Sequence, residues 1–268
     1  MIIEQGDAQQ LGDGSGHSVL QIIEAEKSPG SWAGTRQLRI SGTPQFELSY
    51  WCGTCRFLFE RQESTAQPIA DNSFDQRLAD GLGSIDADIV RTFAELLPLS
   101  EYQPLLLETT PGLTQPADEH DYFAHEQLQT YWDPAHDPKT SYYRTFQAPV
   151  STEAHLYEFA VPMVPPAWND EHRVQSYMAA ISAGARPTAV AVSIVDISAP
   201  AVTEAADYYE HWALTHYLLD GHHKFAAAAR LGLPITLLTL VAIKDGLASP
   251  EQVQEAIRVR ATSADRAR

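Results

Sequence analysis

The chain has 268 residues, of which 44% are hydrophobic and 9% aromatic, which is enough apolar material for one large folded domain or two ordinary ones and excludes wholesale disorder. Eighteen basic against 35 acidic residues leave a net charge of −17, a field that repels polyanions and argues against duplex DNA or RNA as a partner. Two cysteines are too few for a disulfide scaffold, and the longest apolar run, near Leu231 to Ile243, is too short and interrupted to span a bilayer. With no basic-then-apolar leader at the start, a soluble cytoplasmic protein is the expectation.

In chain order, residues 1 to about 18 are rich in Gly, Asp and Gln and read as frayed or loosely packed. Val19 to Glu24 and Thr35 to Ile40 suit strands, with the turn-rich Lys27-Ser28-Pro29-Gly30-Ser31 between them. Gln45 to Trp51 alternates apolar and polar residues, as a half-buried strand does, and runs into Cys52-Gly53-Thr54-Cys55. Phe74 to Leu82 and Ile85 to Leu97 carry apolar residues at helical spacing, and Pro98 closes the second. Tyr102 to Thr109 reads as a strand. Residues 111 to 149 then form a connector rich in Pro, Asp, His and Tyr without periodicity, which fits a functional lid or an aromatic-packed linker.

The second half is more regular. His155 to Val161 predicts a strand, Asn169 or Asp170 caps a helix reaching Ala183, and Pro187 precedes a β-branched strand from Ala189 to Ile197. An acidic aromatic stretch follows, expected to be helical across Glu204 to Thr215. Then come a short apolar strand, the turn Asp220-Gly221-His222-His223-Lys224, an alanine-rich helix closed by Gly232, and a buried strand from Ile235 to Ile243. Ser249-Pro250-Glu251-Gln252 has the capping Ser, first-turn Pro and Gln partner of a helix start. The predicted division is a mixed α+β domain over 1–148, a second domain over 149–246, and a C-terminal helix and tail over 247–268.

The turn from Asp220 to Lys224 is the candidate site. Asp220 reads as an N-cap and Gly221 as the residue that lets the backbone bend. His222, His223 and Lys224 then fall in the first helical turn, where free N–H groups and the positive dipole end would join three basic side chains around an anion, most often a phosphate. His223 could bind phosphate or act as a general acid–base, while Asp220 could orient a histidine or hold Mg²⁺ through water. Phosphoryl transfer would also need a carboxylate base, for which Glu158, Glu171 and Asp196 are candidates. Cys52 and Cys55 open two other readings. Trp51-Cys52-Gly53-Thr54-Cys55 resembles the thioredoxin active turn, and the pair is also half of a Zn site that His120, His125 or His136 would complete.

The order helix, Gly184, Pro187, strand, Leu219 to Lys224, alanine-rich helix, Gly232, strand resembles the ParB/sulfiredoxin superfamily over roughly residues 155 to 243. The resemblance implies an α/β (α+β) C-terminal domain of that kind, with Gly221, His222, His223 and Lys224 at a nucleotide phosphate. His222 occupies the position of the sulfiredoxin cysteine, so that reaction is not implied. The turn is most similar to the Asp-Gly-His-His-Arg version of the free serine kinases, with Lys224 in place of Arg. It therefore implies ATP or ADP with Mg and a kinase-like phosphotransferase built on His223, Glu158 and Asp220. The alternatives are a non-catalytic nucleotide or phosphometabolite module, and a thiol-redox or zinc protein centred on Cys52 and Cys55.

Overall fold

The protein is α+β in a computed structural model that describes residues 1–24, 36–48, 59–62, 75–115, 118–126, 140–198 and 209–265. The strands among them are β1 (Ile2–Gln5), β2 (Gln9–Leu11), β3 (Leu20–Glu24), β4 (Arg36–Ile40), β5 (Thr43–Leu48), β6 (Phe59–Arg61), β7 (Ser100–Thr109), β8 (Gly112–Thr114), β9 (Tyr142–Pro149), β10 (Ala154–Pro162), β11 (Thr188–Ser198), β12 (Glu210–Asp220) and β13 (Ile235–Ala242). The helices are α1 (Asp75–Asp80), α2 (Ala87–Ala94), α3 (Tyr122–Glu126), α4 (Glu171–Ser182), α5 (His222–Leu231) and α6 (Pro250–Asp265).

Nine strands form one mixed sheet in the order β1-β7-β13-β11-β12-β10-β9-β8, with β2 also paired to β7. The pairs β10/β12 and β11/β13 are parallel, and the other neighbours are antiparallel. A second, antiparallel sheet runs β3-β4-β5-β6.

Side chains alternate between the two faces of the sheet with the two-residue period of a strand. Along β12, Ala213, Tyr217 and Leu219 pack with Leu38, Phe46 and Phe93 from the small sheet and α2. The alternate residues Trp212, Leu214 and Leu218 pack with Val174, Phe225 and Ile257 from α4, α5 and α6. The large sheet is thus covered on both faces, which accounts for the near-continuous apolar runs of its central strands.

The N-terminal residues are paired rather than frayed: Ile2 stands opposite Leu107, Glu4 opposite Leu106, and the terminal ammonium donates to the Glu108 carbonyl at 2.9 Å. Most β1 side chains are exposed, so the strand is held by backbone bonds that hydropathy does not register. The expected helix over 204–215 is also corrected. Residues 210–215 belong to β12, flanked by β10 and β11, while 204–208 lie outside the described residues. The sheet runs across the expected boundary at residue 148, since β9 and β10 form a hairpin and β7 lies against β13.

Candidate functional site

The parallel strands β10 and β12 end together at Pro162 and Asp220, beside the start of β11 at Thr188. α5 begins there, so the predicted turn sits outside the carboxyl ends of parallel strands, where open α/β sheets commonly take ligands. Gly221 is left-handed, at φ 94° and ψ 20°. A Cβ on it would stand 2.5 Å from the Ala189 Cβ, so both conformation and space require glycine. Phe225 N–H makes the first helical bond, to the Gly221 carbonyl at 2.9 Å, so the N–H groups of His222, His223 and Lys224 precede the helical ladder.

Three details of the turn differ from the sequence expectation. Asp220 is the last residue of β12 and Gly221 occupies the N-cap position without a side-chain cap. Asp220 instead pairs with Lys224, Oδ2 to Nζ at 2.7 Å. Lys224 is buried, donates also to the Thr188 carbonyl at 2.9 Å, and lies 5.9 Å from the centre of the Tyr177 ring. It is a strut between strand and helix, not a free cation.

Both histidines are acceptors. His222 Nε2 takes the Met163 N–H at 3.1 Å, and His223 Nε2 takes the Asp170 N–H at 3.0 Å. A backbone N–H can only donate, so each ring must be neutral in this arrangement, with its proton on Nδ1. Burial drives the His222 pKa down to about 4 and that of His223 below its ordinary value, each assisted by nearby cations. The turn therefore holds the loop from Met163 to Asp170 in place, and its own net charge is close to zero.

Glu158 lies away from this turn, fully buried beneath α6. Arg260 Nε meets its Oε2 at 2.6 Å, and His216 Nε2 stands 3.8 Å off. Burial alone would raise the Glu158 pKa, but the Arg260 charge, helped by His216, outweighs it and holds the carboxyl well below the usual range. His216 Nδ1 bonds Ser193 Oγ at 2.5 Å, and Ser193 continues the row to Thr239. The other candidate bases are committed as well. Asp196 pairs with Arg36 at 2.6 Å and takes the Leu247 N–H at 2.8 Å. Glu171 holds Arg230 through both oxygens, at 2.6 and 3.0 Å.

A cleft of about 530 Å³ opens between α1 and α4, lined by Asp80, Arg173, Ser176 and Tyr177 together with small residues. That volume suits a small molecule. Two of its residues connect to the turn: Tyr177 is the ring over Lys224, and the Arg173 N–H is held by the side chain of Asp170, whose own N–H goes to His223. The α1 wall is anchored by the Leu82 N–H on Thr188 Oγ1 at 2.8 Å and by Gly81, whose Cβ would stand 2.1 Å from the Arg186 carbonyl.

Sequence reasoning missed Arg173 as well as Arg61 of β6, whose Nη1 donates to the Met163 carbonyl at 2.9 Å and whose Nη2 donates to Pro162. Arg173, Ser176, Tyr177 and Ala180 share one helical face by spacing, a signal for the cleft, whereas nothing local marks Arg61. Cys52, Cys55 and His136 lie outside the described residues, as does the side chain of His125. Among the described residues no group of three or more His, Cys, Asp or Glu side chains is placed to hold a metal ion, and no helix is long and apolar enough to cross a membrane. No protein-family model, no curated protein and no solved structure matches this chain.

Proposed function

We propose that this is a cytoplasmic small-molecule-binding protein that takes a phosphorylated ligand, a nucleotide such as ATP or ADP or a phosphometabolite, in the α1–α4 cleft. The ligand's phosphate would lie toward the Gly221–Lys224 turn. The observation that carries this reading is the junction of cleft and turn through Tyr177, which lies over Lys224, and through the start of α4, where Asp170 holds both Arg173 and His223. Arg173 supplies a cation, Tyr177 an aromatic surface for a ring, and the first N–H groups of α5 supply donors beyond its helical ladder. The likeness of the turn to ParB/sulfiredoxin-like proteins supports the same ligand class.

Holding the ligand is favoured over transferring its phosphate. Phosphoryl transfer needs a carboxylate free to take a proton. Glu158 and Asp196 are buried in ion pairs with arginines, and Glu171 is engaged by Arg230. Asp220 is already neutralised by Lys224, so binding Mg²⁺ there would first break that pair.

A thermal-shift and calorimetry panel of ATP, ADP, CTP and GTP, each with and without Mg²⁺, tests the proposal on the wild type and on Arg173→Ala. At least one nucleotide should raise the wild-type melting temperature by mass action. Loss of a charge-assisted contact in the variant should weaken its binding about tenfold. A wild type indifferent to every nucleotide would refute the nucleotide as the ligand, and an Arg173→Ala variant with unchanged affinity would refute the proposed site.

A further inference from the structure

Three arginines in the described residues are buried, and two of them have a carboxylate. Arg36 has Asp196 at 2.6 Å and Arg260 has Glu158 at 2.6 Å. Arg61, only 8% exposed, has none within ion-pair distance among the described residues. Its guanidinium donates to two carbonyls, Pro162 and Met163, and lies 4.7 Å from the centre of the Phe46 ring. Carbonyls and a ring satisfy hydrogen-bonding groups but do not neutralise a buried charge, and an unpaired buried charge is costly. Among the described residues this guanidinium is the one buried arginine without a carboxylate. Its burial lowers the Arg61 pKa to about 10, which leaves the group charged near neutral pH.

The location of that charge gives it a use. The Met163 peptide gives its carbonyl to Arg61 and its N–H to His222, the first residue of α5. Arg61 thus reaches the mouth of the turn from the small sheet, on the histidine opposite to the one beside Arg173. A guanidinium carries five donors in a planar fork, and two carbonyls occupy only part of it. Lys224, tied to Asp220 and Thr188, presents no such fork.

We propose that Arg61 is a ligand-binding residue, and that an anionic group of the ligand supplies its missing counter-charge beside the Gly221–Lys224 turn. This rests on the reading of the turn as a phosphate site and extends that site to β6. It makes the small sheet part of the binding site rather than a cover for the core.

Calorimetric titration with inorganic phosphate and with ATP tests it on the wild type, Arg61→Met, Arg61→Lys and Arg173→Ala. The Met variant removes charge and fork, and the Lys variant keeps the charge in a side chain able to fold into the same place. Affinity should fall about tenfold in Arg61→Met, the scale of one charge-assisted contact, and by a smaller factor in Arg61→Lys. If Arg61 only braces the Pro162–Met163 backbone, the variants melt at lower temperature while both anions bind within about twofold of wild type. With Arg173→Ala weakened, that result overturns the role of Arg61 and leaves the phosphate site standing. If neither anion binds the wild type, both readings fall. Should Arg61→Met not fold, the Lys variant decides alone: unchanged affinity there overturns the proposal, and a severalfold loss supports it.

Discussion

Glu158→Gln probes the buried pair under α6. Glu158 is 0% and Arg260 3% exposed, so solvent cannot screen the charge that remains when the carboxylate is removed. Arg260 would keep the Glu108 carbonyl at 3.1 Å and the Phe146 ring 4.5 Å from its guanidinium carbon, but no anion. Breaking one side of a buried pair costs about 3–5 kcal/mol, a large fraction of a total stability of about 5–15 kcal/mol. With a urea slope of about 3 kcal/mol/M, the midpoint should fall by roughly 1–1.7 M at pH 7 with the slope unchanged. Removing both charges, in Glu158→Gln with Arg260→Met, should cost less than the sum of the single changes by at least about 1 kcal/mol. The Glu158 pKa is depressed in the folded state, so its contribution is present above the unfolded value of about 4.3 and shrinks as pH falls below it. A midpoint within about 0.3 M of wild type, or strictly additive single costs, would refute the view that this pair fastens the C-terminal helix.

Gly221→Ala should cost about 2–4 kcal/mol, from the left-handed backbone and the 2.5 Å approach to Ala189. Gly232→Ala, also left-handed at φ 62° but with nothing within 4 Å, should cost only the conformational part of about 1–2 kcal/mol, and melting curves that rank the two the other way would count against the close packing of the turn. Acid should also weaken the fold through His222 and His211, whose pKa values burial lowers to about 4. Both are neutral when folded and protonate near 6.5 when unfolded, so their contribution is full above pH 6.5 and declines toward pH 4. The decline is at most about 1.4 kcal/mol per pH unit for each. Urea midpoints from pH 7 to 4.5 should show a shallower fall for His222→Gln than for wild type, and parallel curves would contradict the assignment.

Much of the second half was legible because its strands are buried on both faces and its helices begin and end with ordinary signals. Asp170 does cap α4, its side chain accepting the Arg173 N–H, and Ser249 pairs with Gln252 at the start of α6. The N-terminal strand was not legible, since exposed side chains carry no pattern when backbone pairing with β7 is what fixes them. The stretch before the turn was misread as a helix. From His211 to Leu219 every residue is buried, and a run without alternation has no period to separate strand from helix. The turn itself was visible as Asp-Gly-His-His-Lys, yet the work of its side chains was not. His222 answers to Met163, 59 positions away, His223 to Asp170 at 53, and Lys224 to Thr188 at 36.

Those distant partners also change what could attract the proposed ligand to the turn. A reading confined to residues 220–224 sums two histidines and a lysine into a basic cluster. In the fold the lysine is cancelled by Asp220 and the histidines are held as neutral acceptors, so the cations left to meet a ligand on the proposed reading are Arg61 on β6 and Arg173 on α4. Neither arginine belongs to the motif, and each shares a partner with one of its histidines, Met163 for Arg61 and His222, Asp170 for Arg173 and His223. On the proposed reading, affinity for an anion would depend on the docking of the small sheet and of α4 against the strand ends, not on the local sequence of the turn. An isolated α5 peptide would carry the motif without either arginine, and should bind neither phosphate nor ATP measurably by calorimetry.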